Sequence, residues 1–102
     1  MTNLSQEDWK SRIDNDNNAV IIDVRTEEEV AVGKIPNAIH LDIYKGQGFI
    51  YEVDTLDKNK HYFVYCRVGA RSANACNIMD QLGFLNTFNL LGGIELWQGN
   101  LD

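Results

Sequence analysis

A chain of 102 residues is long enough to bury one core and too short for two domains of ordinary size, so residues 1–102 are read as a single domain. With 44% hydrophobic and 24% charged residues and no low-complexity run, the composition is that of a folded globular protein. The net charge of −6 excludes a nucleic-acid backbone or an anionic membrane as the main partner, because both attract positive surface.

Ser5 followed by Asp8 resembles a helix cap, and Trp9 and Ile13 then fall on one face, which predicts a helix over residues 5–13. The polar turn at residues 14–18 leads into Ala19-Val20-Ile21-Ile22-Asp23-Val24, a nearly continuous apolar run of the kind buried on both faces in a parallel sheet. Thr26 with Glu27, Glu28 and Glu29 repeats the cap signature and starts a second helix, which Gly33 stops. Pro36-Asn37 turns the chain into a short strand, Ala38 to Leu41. Between Asp42 and Lys60 the periodicity is lost around Gly46 and Gly48, and only Phe49, Ile50, Tyr51, Val53 and Leu56 stand out as apolar anchors.

Tyr62 to Tyr65 reads as a buried strand that delivers Cys66 at its carboxyl end. Ser72 to Leu82 reads as a helix ending at Gly83, with Ala75, Met79 and Leu82 at helical spacing. Thr87 to Leu90 is a further strand, and Gly92-Gly93 leads into a last helical turn carrying Ile94, Leu96 and Trp97. Strands alternating with helices imply an α/β fold of three layers, an open, mostly parallel sheet with helices on both faces. In such sheets ligands bind beyond the carboxyl ends of the strands, which singles out Asp23 to Arg25, Asp42 and the Cys66 loop.

The loop Cys66-Arg67-Val68-Gly69-Ala70-Arg71 joins a strand to a helix N-terminus, a geometry that gathers backbone N–H groups and favours negative charge. A thiol in such a place, beside cations, loses its proton readily and becomes a nucleophile. Gly69 permits the positive φ that curls the N–H groups inward, and Arg67 and Arg71 stand ready to neutralise an anion, with Arg71 also able to cap loop carbonyls. The pocket would attack an electrophilic atom on an anionic substrate and hold a covalent intermediate on sulfur. A cysteine phosphatase loop carries one more residue between Cys and Arg. Arg71, five positions after Cys66, therefore closes a narrower cradle, suited to a single terminal sulfur atom.

The residues Cys66 to Ser72 resemble the active-site loop of single-domain rhodaneses, a family of sulfurtransferases. Ile21-Ile22-Asp23-Val24-Arg25 with Glu29, Gly33-Lys34-Ile35-Pro36-Asn37-Ala38, and Leu91-Gly92-Gly93 with Trp97 are similar to other segments of that family, so the resemblance runs from about Val20 to Trp97. It implies a rhodanese-like fold and a reaction in which Cys66 takes a sulfane sulfur, becomes a persulfide and passes the sulfur to cyanide or a thiol, the acceptor thiol belonging to a small molecule or a protein. No metal or organic cofactor is implied. Lys34 replaces the family's usual His, Val30 a common aromatic, and Val68 a lysine of some thiosulfate-using members, so persulfides and polysulfides stand beside thiosulfate as expected donors.

Within this reading Cys66 is catalytic, and Arg67, Val68, Gly69, Ala70 and Arg71 form the substrate-binding loop. Asp23 and Arg25 support it structurally, and Cys76, Trp9, Trp97, His40 and His61 are packing or strand residues. The two cysteines make neither a disulfide framework nor a metal site, and the sequence carries no leader-like or membrane-spanning run, so a cytoplasmic protein with free thiols, monomeric or weakly dimeric, is expected. The alternatives are a rhodanese-like binding module without chemistry and a cysteine phosphatase.

Overall fold

The computed structural model describes all residues from Met1 to Asp102. Five strands, β1 (Thr2–Leu4), β2 (Ala19–Asp23), β3 (Ile39–His40), β4 (His61–Tyr65) and β5 (Asn86–Leu90), form one sheet in the order β1-β5-β4-β2-β3, and every pairing is parallel. Four helices connect them: α1 (Gln6–Asp14), α2 (Glu27–Val32), α3 (Gln47–Asp54) and α4 (Ala70–Gln81).

The apolar run of β4 has the composition of a strand covered on both sides, and the structure uses it that way. Phe63 and Tyr65 face α1, joining Leu4, Trp9, Ile35 and Leu90 in one core layer. Tyr62 and Val64 face α3 and α4, where Ile22, Val24, Phe49, Val53, Ala75, Cys76 and Met79 complete the other. Trp9 is fully buried and meets Phe63, Tyr65 and Trp97 edge-on, with ring centroids 5.7 to 6.1 Å apart, a favoured aromatic geometry.

The expected elements are present with three corrections. Strand β1 was not foreseen: it is three residues long at the sheet edge and buries only Leu4, so it carries no periodic signal. The unread stretch holds a 3₁₀ turn at Ile43–Lys45, capped by the Asp42 carboxylate accepting from Tyr44 N–H, and then helix α3. Phe49 and Val53, one turn apart, anchor α3 to the core, whereas Tyr51 is exposed and anchors nothing. The glycines that masked α3 sit where they cost it little, Gly46 at its N-cap with φ of +58° and Gly48 in its first turn. Finally, α4 begins at Ala70 rather than Ser72, so the helix N-terminus lies inside the cysteine loop.

The capping box of α2 forms as read: Thr26 Oγ1 accepts from Glu29 N–H, and the Glu29 carboxylate accepts from Thr26 N–H. No helix is long and apolar enough to cross a membrane. Strand order reverses between β2 and β4, which lie side by side, so the crevice of this doubly wound sheet opens at their carboxyl ends, where Cys66 follows β4.

Candidate active site

Cys66 has no exposed surface and lies beneath the exposed Arg67, Val68 and Ala70. Its Sγ accepts hydrogen bonds from Gly69 N–H at 3.1 Å, Ser72 N–H at 3.4 Å and the Ser72 hydroxyl at 3.3 Å. Gly69 takes φ of +110°, and this left-handed residue turns the loop so that its own N–H and those at the start of α4 converge on sulfur. Burial alone would push the thiol up, but the Ser72 hydroxyl and the N–H groups of Ser72, Gly69 and Val68 outweigh it and hold Cys66 below an ordinary thiol. Cys76 supplies the contrast: buried in the core near Asp80 with no such cradle, its thiol is pushed up to about 12.

The loop is aimed from outside by the segment that follows β5. Ile94 N–H donates to Cys66 O at 3.0 Å and Glu95 N–H to Arg67 O at 3.1 Å. A planar trans peptide points its C=O and the next N–H in opposite directions, so holding the Arg67 carbonyl outward turns the Val68 N–H toward sulfur. Gly93 makes this approach possible. A Cβ there would meet the Arg67 carbonyl carbon at 2.5 Å and the Cys66 oxygen at 2.6 Å, and φ is +60°.

Ser72 is itself held by a buried asparagine. Asn89 Nδ2 donates to Asn3 Oδ1 at 2.9 Å and to Gly69 O at 3.3 Å, which leaves Asn89 Oδ1 facing the Ser72 hydroxyl at 2.5 Å. The hydroxyl has a single proton to donate. Asn89 Oδ1, Gly69 O at 3.2 Å and Cys66 Sγ at 3.3 Å all lie within its reach, so it is a donor that negative charge on sulfur can draw on. Ser72→Ala is therefore expected to slow iodoacetamide alkylation of Cys66 at neutral pH by roughly a factor of ten, while Ser72→Thr retains it. Equal rates in wild type and Ser72→Ala would leave the backbone donors as the whole cause.

The sequence-predicted residues divide into two groups. Gly69 and the loop backbone at Val68 come together on Sγ, whereas the arginine side chains are engaged elsewhere. Arg71 makes a two-pronged ion pair with Glu29, at 2.7 and 2.9 Å, and lies over the Tyr44 ring at 5.3 Å. Arg71 thereby ties the loop to α2, and it makes no hydrogen bond to a loop carbonyl. Arg67 is exposed and pairs with Glu95 at 3.0 Å, Val68 is exposed at the loop tip, and Ala70 opens α4. Asp23 and Arg25 form a buried pair at 2.7 Å, and Tyr65 donates to the same Asp23 carboxylate at 2.6 Å. Arg25 also donates to Gly33 O at 2.7 Å, which fixes the end of α2 against the sheet.

The Arg71 guanidinium holds the Glu29 carboxyl at about 2, against 4.5 for a free one, partly opposed by burial and aided by Thr26. A carboxyl depressed in the folded state contributes stability that is full above the unfolded value and is lost as pH falls from about 4.5 toward about 2. Glu29→Gln is expected to lower stability by on the order of 2 kcal/mol at pH 7, allowing for partial exposure of the pair. The gap between the urea midpoints of the two proteins should shrink as pH falls from about 4.5 toward about 2, and a gap that stayed constant would exclude the ion pair as its source.

In the sequence Ser72 stands only as the last residue of the loop that resembles the family's, and nothing there assigns a site role to Asn89, Gly93 or the Glu29–Arg71 pair. A signal existed for Asn89, a polar residue in the apolar strand Thr87-Phe88-Asn89-Leu90, and for the Gly92-Gly93 doublet, but neither says what it touches.

A buried cysteine whose sulfur accepts from N–H groups at the carboxyl edge of a parallel sheet has the setting of a cysteine nucleophile. The family model for the rhodanese-like domain matches residues 5–100, and the chain belongs to that family. It is 45% identical over 91 residues to the Bacillus subtilis protein YtwF, covering 88% of this chain and 84% of YtwF. A sulfurtransferase of Allochromatium vinosum is 32% identical over 94 residues, covering 92% and 85%. Among solved structures, a rhodanese-like domain protein from Staphylococcus aureus superposes with a TM-score of 0.86 at 28% identity, over all of this chain and 97% of that one.

Proposed function

We propose that Cys66 is the sulfur-carrying residue of this rhodanese-type sulfurtransferase. The convergence of Gly69 N–H, Ser72 N–H and the Ser72 hydroxyl on Cys66 Sγ carries the reading, because that cradle stabilises a thiolate and then the terminal sulfur of a persulfide. In the first half-reaction the thiolate lone pair forms an S–S bond to the donor's sulfane sulfur. The donor's own bond to that sulfur breaks, and its electron pair departs with sulfite or a thiolate. In the second half, cyanide or an acceptor thiolate attacks the outer sulfur and Cys66 leaves as thiolate, so no external oxidant or metal enters the cycle.

Arg67, Val68, Gly69, Ala70 and Arg71 form the wall that substrate meets, and Asp23 and Arg25 brace the sheet edge beneath it. Two free thiols support a reducing, cytoplasmic setting. The phosphatase alternative loses support because Arg71 is bound to Glu29 rather than free to cradle a phosphate. The inert binding module is disfavoured by a thiol held below its ordinary range.

Initial rates with thiosulfate or a persulfide as donor and cyanide as acceptor, both varied, test the cycle. Double displacement predicts parallel double-reciprocal lines. Intersecting lines would mean that donor and acceptor meet on the enzyme without a persulfide between them.

A further inference from the structure

A carboxamide buried in an inner strand needs partners, because an unpaired amide away from water is costly. Asn89 of β5 is buried, and its partners lie on the cysteine loop and on the neighbouring strand β1. Nδ2 donates one hydrogen to Gly69 O and the other to Asn3 Oδ1, and Oδ1 faces the Ser72 hydroxyl. Gly69 O can only accept, which fixes the end of the amide that meets the loop. Asn3 is the register partner of Asn89 across β1 and β5, so the second Nδ2 hydrogen is taken up by a residue directly opposite.

The two loop residues that Asn89 touches are the two whose donors reach Cys66 Sγ, Gly69 through its N–H and Ser72 through its N–H and hydroxyl. Gly69 O is also where α4 begins, since it accepts from Ala73 N–H at 3.1 Å. Asn89 therefore grips the first turn of α4 from the sheet, through a carbonyl and a hydroxyl, on the side opposite the grip that Ile94 and Glu95 N–H have on the Cys66 and Arg67 carbonyls. A leucine of nearly the same size would fill the place on β5 and hold neither group. We propose that Asn89 is a positioning residue for the Cys66 thiolate: its amide, oriented by Asn3, sets the Gly69 peptide and the Ser72 hydroxyl at hydrogen-bond distance from sulfur. Hydrogen bonds weaken steeply with distance and angle, so a small drift of these donors leaves the thiolate less stabilised. The effect on sulfur transfer rests on the reading of Cys66 as sulfur carrier, whereas the effect on the thiol itself does not. Charged and titratable groups around the loop keep their own partners when Asn89 or Asn3 changes: Arg71 with Glu29, Arg25 with Asp23 and Tyr65, and Arg67 with Glu95, while the Cys76 thiol, pushed up to about 12, stays neutral.

The pH profile of iodoacetamide alkylation, with the adduct mapped to Cys66 and urea midpoints measured on the same proteins, tests the proposal. In Asn89→Leu the pH midpoint of alkylation is expected to rise by about half a pH unit to one pH unit, and the rate at pH 7 to fall roughly three- to tenfold. Asn3→Ala removes only the acceptor that orients the amide, from an exposed position on the edge strand, and should move the midpoint in the same direction by a smaller amount. It carries the test if Asn89→Leu does not fold. An alkylation midpoint equal to wild type in either folded variant, whatever the urea midpoint does, would make the contact a structural one and overturn the proposal. A midpoint that fell would overturn it as well, because Asn89 would then be withholding the Ser72 proton from sulfur. In the same variants kcat/KM for sulfur transfer should fall along with the alkylation rate. If the midpoints shift as expected but no donor loads sulfur on wild-type Cys66, the sulfur-carrier reading is lost and the positioning role of Asn89 stands.

Discussion

Gly93→Ala is expected to lower sulfur transfer by roughly two orders of magnitude while altering no residue of the cysteine loop. The added methyl would have to share space with the Arg67 and Cys66 carbonyl groups, and backbone gives way far less readily than the end of a side chain. The residue also sits at φ of +60° and ψ of −161°, a conformation essentially confined to glycine. Strain and lost contacts together should cost at least about 3 kcal/mol of stability. The larger effect is on activity. The carbonyls of Cys66 and Arg67 would leave Ile94 and Glu95 N–H, the loop peptides would rotate, and the donors facing Sγ would be misplaced by a good fraction of an ångström. Misplacement on that scale lowers turnover by roughly two orders of magnitude. Measured kcat/KM together with a urea midpoint separates the two effects, and an active Gly93→Ala protein would show that the contact from the β5 side does not aim the loop.

Cys66→Ser is the second large effect. The hydroxyl that replaces the thiol fits the same cradle but stays protonated at neutral pH and forms no bond that can release sulfur to cyanide. The rate of thiocyanate formation should fall by at least about 10³-fold, to the level of the uncatalysed mixture. Stability should change little, because Cys66 is a small buried side chain whose partners, Gly69 N–H, Ser72 N–H and the Ser72 hydroxyl, find an equal acceptor in the serine oxygen. Cys76→Ser should leave the transfer rate intact, since that thiol is pushed up to about 12 and lies within the core.

The layered parallel sheet was legible because its strands are unusual at the sequence level. Runs such as Ala19 to Ile22 and Tyr62 to Tyr65 are apolar at consecutive positions, and among strands only one covered on both faces requires that. The helix caps at Ser5 and Thr26 were legible for a local reason, since the residues that satisfy the first N–H groups lie three positions apart in the chain. Strand β1 and helix α3 were hidden because tertiary contacts make them: β1 exists through its pairing with β5, and α3 through burial of Phe49 and Val53.

The site divides along the same line. Its local part, a cysteine after a strand and a glycine three residues on, could be read directly. Its charges could not. Arg67 and Arg71 look like free cations in a sequence, and what cancels them, Glu95 and Glu29, lies 28 and 42 residues away. Asn89 and Gly93 act on the loop across comparable separations, through contacts that no short motif encodes.

The proposed role of Cys66 as carrier of sulfur in transit is open to direct observation. Its most direct measurement is mass spectrometry of the protein after exposure to a sulfane donor and removal of excess reagent, with peptide mapping. One added sulfur atom per chain is expected, on the peptide containing Cys66, absent in Cys66→Ser and discharged stoichiometrically as thiocyanate when cyanide is added. Turnover without any added sulfur on that peptide, or an adduct that maps to Cys76, would contradict it.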